Sequence, residues 1–177
     1  MSELPHSQES EMMVLGCMLT SINCLNIAAN TLDDSDFYFT EHKIIFQTMK
    51  AAYKNDQPAD IHLIGEELKR QEKLKVVGGI NYLTTLAQYA GTSVYIEEYV
   101  EILRKKSKLR LLVSLIDACR NRALEDSENP TDLISETMEK LEKIEKHQNG
   151  KERFSIRFLD EFNQNYLLVE PPKKQCY

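Results

Sequence analysis

The side chains that could do chemistry in this chain are few, and most stand alone. His62 and Glu66 are four residues apart, so a helix would put an imidazole and a carboxylate on one face, where they could share a divalent metal. Two ligands fall short of a structural zinc site, and a solvated pair is the commoner use of this spacing. His42 follows the aromatic run Phe37, Tyr38, Phe39; in the first turn of a helix it reads as a packed or capping histidine rather than a general base. Gly78-Gly79 lacks the Lys-Ser/Thr and the preceding strand of a phosphate-cradling loop, so it reads as a turn. Cys17, Cys24, Cys119 and Cys176 form no CxxC or Cys/His pattern and are expected as buried thiols in a reducing compartment. No GxxxxGK[ST], GxGxxG, HExxH or nucleophile elbow occurs. Neither a catalytic centre nor a cofactor or metal site is therefore expected in these residues.

What remains is a run of cations, Arg104, Lys105, Lys106, Lys108 and Arg110, and the element that carries it organises the chain. From about Tyr95 to Gln148 the pattern predicts two long helices joined by a short turn. Leu109, Leu112, Ile116, Cys119 and Ala123 recur at steps of three and four on the first arm, the seam spacing of a helix that packs along another. Ile134, Met138, Leu141 and Ile144 answer on the second. Between them Asn129 can cap a helix and Pro130 suits its first position. Arg120 and Arg122 extend the basic character of the first arm, whereas Asp132, Glu136, Glu139, Glu142 and Glu145 load the second with carboxylates. A two-helix hairpin buries too little to stand alone, so its outward faces are expected to meet the rest of the chain or a second copy.

The segment before the hairpin predicts a head of short helices. Ser7 can cap a first helix with Glu9 and Glu11 in its opening turn, where carboxylates suit the helix dipole. Met12, Leu15, Met18 and Leu19 give it one apolar face, and interior Gly16 implies close approach of a neighbour. Asn26 to Leu32 allows a second helix. Phe37, Tyr38 and Phe39 anchor a turn before Thr40, an N-cap candidate for a helix carrying Ile44, Ile45, Met49, Ala52 and Tyr53. Asp60 can cap the next, with Ile61, Ile64 and Leu68 inside. Tyr82, Leu83, Leu86 and Tyr89 mark a further short helix after the glycine pair.

Nothing alternates with period two for long enough to predict a strand, so the expected class is all-α, a globular head of short helices followed by a long antiparallel helical hairpin. The expected divisions are a head over 1–93, a hairpin over 94–149 and a linker segment over 150–177. In that linker Phe158, Leu159, Phe162, Tyr166 and Leu167 can form a short amphipathic helix ended by Pro171 and Pro172, either a docking element or a segment that orders only on a partner. The formal net charge of -6 argues against a protein dedicated to coating nucleic acid. No leader-like opening and no apolar run of membrane-spanning length occurs, so a cytoplasmic protein is expected, with no membrane partner.

Several stretches together resemble one family. LPHSQESEMMVLGCML, DSDFYFTEHKIIFQTM, ADIHLIGEEL, VGGINYLTTL and YIEEYVEILRKKSKLRLL are similar, in order and spacing over residues 4 to 112, to the N-terminal domain of DnaB-type replicative DNA helicases. The resemblance implies a non-catalytic collar domain that assembles from dimers into a hexamer and docks primase through the hairpin. It further implies a linker helix leading to a RecA-like ATPase domain, which supplies ATP and Mg binding in the longer parent; the 177 residues are expected to be a fragment of it. On this reading the subunit or primase interface falls on Arg104, Lys105, Lys108, Leu109, Leu112, Ile116, Arg120, Met138 and Leu141. A helicase loader and single-stranded DNA are further expected contacts. Two other readings stay open: the helicase-binding C-terminal domain of a primase, which resembles this fold, and a stand-alone helical adaptor that uses its basic arm for nucleic acid.

Overall fold

The computed structural model describes residues 3–90, 93–124 and 129–146. Among them are seven α-helices and no strand: α1 Gln8–Thr20, α2 Ile22–Thr31, α3 Thr40–Lys54, α4 Ile61–Arg70, α5 Gly79–Tyr89, α6 Ile96–Leu124 and α7 Pro130–Lys146. Short 3-10 turns at Asp34–Asp36 and Ser93–Tyr95 interrupt the connections. The fold is all-α, as the periodicity predicts. The described residues up to Ile144 belong to one compact unit. No described helix is long and apolar enough to cross a membrane.

α1 starts where its cap chemistry says it should: the Ser7 hydroxyl accepts the backbone N–H of Ser10 at 3.4 Å. The helix is not one-sided, however. Val14 and Cys17 join Leu15, Met18 and Leu19 in the core, because α2, α3, α5 and α6 all pack on α1. Gly16 is what permits one of these contacts. A Cβ there would stand 2.2 Å from the Leu86 carbonyl oxygen and 3.1 Å from Ala90, so the backbone of α5 crosses directly over it.

Ser21 both ends α1 and opens α2. Its N–H donates to the Cys17 carbonyl at 2.9 Å, and its hydroxyl accepts from the Cys24 N–H at 3.5 Å. This second cap moves the start of α2 to Ile22, four residues ahead of the expected Asn26. α3 corrects another expectation. Thr40 is its first helical residue, the cap position belongs to Phe39, and no side chain of that position bonds the helix end. Asp60 caps α4 as predicted, accepting from His62 N at 2.7 Å and Leu63 N at 2.9 Å. At the glycine pair φ is +89° for Gly78 and +76° for Gly79, left-handed conformations that explain two glycines in succession.

α6 is 29 residues long, roughly 43 Å at the helical rise, and only its first half is held by the head. Ile96, Val100, Leu103 and Ser107 face inward at steps of four, three and four; no α6 residue after Ser107 is buried. Burial of the three apolar members contributes on the order of 1.5–3 kcal/mol each. At the far end Asn129 accepts the Thr131 N–H at 3.0 Å and α7 begins on Pro130, as the turn composition predicts.

Candidate docking site

The hairpin is joined to the head by Arg110. Its guanidinium donates to three main-chain carbonyls: Pro5 at 3.0 Å, Ser35 at 3.0 Å and Asp36 at 2.8 Å. It also lies over the Tyr38 ring, 5.9 Å from the centroid, and Ser107 adds a hydroxyl bond to the Ser35 carbonyl at 3.4 Å. A planar fork with several donors suits such spread acceptors better than an ammonium would. Burial lowers the Arg110 pKa, and the nearby charges of Glu11 and Asp36 and the Tyr38 ring oppose that shift. The basic run from Arg104 to Arg110 is therefore not wholly available to partners: its last member is spent inside the chain.

Beneath this clamp lies a polar chain that the sequence does not announce. Glu11 is fully buried. Its carboxylate accepts the backbone N–H of Tyr38 at 2.7 Å, that of Phe39 at 3.4 Å, and His42 Nδ1 at 2.7 Å. A carboxylate only accepts, so Nδ1 carries the shared hydrogen. On the other side of the ring, Nε2 lies 2.7 Å from the Tyr82 hydroxyl. Burial first, then the charges of Glu41 and Glu11, raise the Tyr82 pKa and keep that phenol protonated. α1, α3 and α5 are thus joined through one chain of hydrogen bonds, and no buried side-chain polar atom among the described residues lacks a partner. His42 is packed, as expected; Glu11 is not the exposed dipole charge that its position in the first turn suggests.

The two arms meet along only part of the predicted seam. Arg122 bridges to Glu136 at 2.7 Å, Thr137 donates to the Cys119 sulfur at 3.6 Å, and Leu133 is the α7 apolar side chain that becomes buried. Cys119 belongs to the predicted seam, but Ile116 is 55% exposed and Ile134 is 59% exposed. The periodic positions Ile102, Leu109 and Ile116 are spaced by seven and drift by only about 20° per step, so they form one line along α6. All three are exposed, on the side of α6 turned away from Ile96, Val100 and Leu103. Lys105 and Arg120 are exposed on the same stripe, and Leu112 is half-buried. Arg104 stands 3.8 Å from Glu101, and Lys108 is half-buried beside it. On α7, Met138 and Leu141 are half-buried and share a stripe with exposed Ile134.

Among the described residues, no group of three or more His, Cys, Asp or Glu side chains gathers as a metal site. His62 and Glu66 are both exposed on α4. Phe158, Leu159, Phe162 and Tyr166 lie outside the described residues, as does Cys176. Cys17 and Cys24 are buried, whereas Cys119 is only half-buried, because the arm that carries it projects past the head.

A helical head is tied by the Arg110 and Ser107 hydrogen bonds to a hairpin that carries an apolar outer line. The chain belongs to the DnaB-like helicase N terminal domain family, which matches residues 3–105. It is 30% identical over 145 residues to the replicative DNA helicase DnaC of Bacillus subtilis, an alignment covering 82% of this chain and 32% of that protein. With the replicative DNA helicase DnaB of Haemophilus influenzae it shares 35% identity over 127 residues, 71% of this chain and 26% of the relative. The chain thus spans a third or less of the length of these relatives. Two solved structures share the fold. The N-terminal domain of DnaB helicase from Mycobacterium tuberculosis superposes with a TM-score of 0.75 at 24% identity, covering 80% of this chain and 99% of that one. A DnaB-like replicative helicase, in a structure describing its interactions with primase, gives 0.65 at 19% identity, covering 90% of this chain and 35% of that one.

Proposed function

We propose that this chain is the collar domain of a replicative DNA helicase, a non-catalytic module that assembles through its hairpin and docks primase. The observation that carries the proposal is the exposed line Ile102, Leu109 and Ile116, which no described element of this chain covers. An apolar line at seven-residue spacing is the pattern with which a helix packs along another helix. Here α7 occupies a neighbouring face, so the line is left for a second copy. Dimers made this way, joined through other contacts, would build the trimer-of-dimers ring.

In this reading residues 1–93 form the head, 94–149 the hairpin and 150–177 the linker to an ATPase domain that binds ATP and Mg in the parent helicase. Lys105, Lys108, Arg120, Met138 and Leu141 border the apolar line and would set partner choice by charge and shape. Arg104, Leu112 and the linker residues Phe158, Leu159, Phe162 and Tyr166 complete the proposed contact set. Single-stranded DNA and a helicase loader are secondary contacts on the basic arm. The parallel with a DnaB-like helicase described together with primase supports the choice of partner.

The test is gel filtration of the chain with a primase C-terminal domain. Co-elution, weakened in an Ile116→Asp/Ile134→Asp variant, is expected. Separate elution at every concentration, with both proteins folded, would contradict primase docking.

A further inference from the structure

Residues 3–7, just ahead of α1, form no helix and none of them is buried, yet they lie against the seat of the hairpin. The Pro5 carbonyl accepts from the Arg110 guanidinium at 3.0 Å, across 105 positions of chain. The His6 ring lies flat on the Tyr38 ring, with centroids 4.5 Å apart and planes 13° from parallel, and meets Phe39 edge-on at 5.4 Å. His6 Nδ1 donates to the Leu4 carbonyl at 2.8 Å, since a carbonyl only accepts, and this bond closes the segment on itself. Although the segment is on the surface, the His6 side chain is only 22% exposed, so the ring is packed in place. Tyr38 links the two ends: its ring is covered by His6 and lies under the Arg110 guanidinium, 5.9 Å away. Arg110 in turn stands three residues past Ser107, the last buried position of α6.

We propose that residues 3–7 are a releasable strap that sets how far the head holds the hairpin. Fastened, the strap supplies the Pro5 carbonyl and keeps Tyr38 under the guanidinium, so α6 is seated as far as Arg110. Released, Arg110 keeps only the Ser35 and Asp36 carbonyls, and the firm hold on α6 ends at Ser107. Release is local: no residue of the strap enters the core, Glu3 and Leu4 are exposed, and the Glu11–His42 pair beneath is left whole. Its effect reaches the partner surface, because Leu109 of the outward line adjoins Arg110, and Arg110 regains a donor at the end of the cationic run. This goes beyond the docking reading and does not rest on it, since the hold of the head on α6 is a property of the single chain.

The experiment is hydrogen exchange, read by peptide mass spectrometry, on the 177-residue chain, on His6→Ala and His6→Phe, and on a deletion of residues 2–6 that keeps the Ser7 cap. In His6→Ala the amides of residues 104–113 are expected to exchange about threefold to tenfold faster, the change that loss of one ring stack implies, with α4 unaffected. The deletion should give at least the same change, and His6→Phe, which keeps a ring on Tyr38, should stay near the parent rates. Adding His6→Ala to Arg110→Lys should quicken α6 less than His6→Ala does alone, because both substitutions act on one contact. Parent rates over 104–113 in His6→Ala or in the deletion would overturn the proposal. So would quickening in α4 as large as in α6, the mark of a head destabilised throughout rather than of a released strap.

Discussion

His42 and Glu11 meet at 2.7 Å with neither side chain accessible to solvent, and the pair holds α3 against α1 at the base of the head. Glu11 also takes the two backbone amides just ahead of α3, where Phe39 supplies no cap. Removing the carboxylate would leave two part-buried amides and a buried ring nitrogen without acceptors. Glu11→Ala is therefore expected to cost about 3–5 kcal/mol, and Glu11→Gln less, because one amide oxygen can still accept. Urea denaturation checks this; a loss under about 1 kcal/mol for Glu11→Ala would contradict it.

Arg110 is expected to resist conservative replacement. One ammonium cannot reach the carbonyls of Pro5, Ser35 and Asp36 together, so Arg110→Lys should lose about 1–2 kcal/mol. Amide exchange should quicken around Ser35, Asp36 and the middle of α6, and remain unchanged in α4. Full retention of stability and protection in the lysine variant would show that the guanidinium fork is not what seats the hairpin.

Gly16→Ala tests the crossing of α1 and α5. The added methyl meets a backbone oxygen at 2.2 Å, an atom that cannot swing aside as a side chain could, so a cost of about 3 kcal/mol is expected, against the gain that alanine brings to an exposed helix. A thermal melt equal to or above that of the parent would mean that the helices are further apart than described.

Glu136 reports on the junction of the arms. Its carboxyl pKa is lowered from the usual carboxylate range by hydrogen bonds from Lys140 first and Arg122 second. A folded pKa below the unfolded value of about 4.3 means that the contribution is present above that value and is lost as pH falls through the folded one. Carboxyl NMR should give Glu136 a midpoint below about 4.3, rising in both Lys140→Gln and Arg122→Gln. A midpoint unmoved by either substitution would remove Arg122 and Glu136 as the tie between α6 and α7.

Local chemistry made much of this fold readable. Ser7, Asp60, Asn129 and Pro130 act within three residues of themselves, and Gly16 and Gly78-Gly79 state backbone demands that few other residues could meet. Glu11 was legible only as a charge in a first turn, because its partner His42 is 31 residues away and nothing local marks the pairing. Arg110 is hidden for the same reason, its acceptors being main-chain oxygens 74 to 105 residues distant. On the hairpin the period was readable and the phase only in part. Of the predicted seam, Cys119 meets Thr137 and Leu112 is half-buried, but α7 settles toward Arg122, where Glu136 offers an ion pair, and Leu109 and Ile116 stay exposed. Only part of the stripe singled out for an internal seam, Leu109 and Ile116, is left facing outward.

The outward line of Ile102, Leu109 and Ile116 is proposed to join copies of the chain. Multi-angle light scattering over a wide concentration series tests it most directly, with Leu109→Asp/Ile116→Asp run beside the unmutated protein. Both substitutions fall on exposed positions, so circular dichroism should show the same helix content in each. A concentration-dependent rise from monomer to dimer or higher is expected in the unmutated chain, and monomer throughout in the variant. A monomer at every concentration in both, or the same oligomer in both, would contradict it.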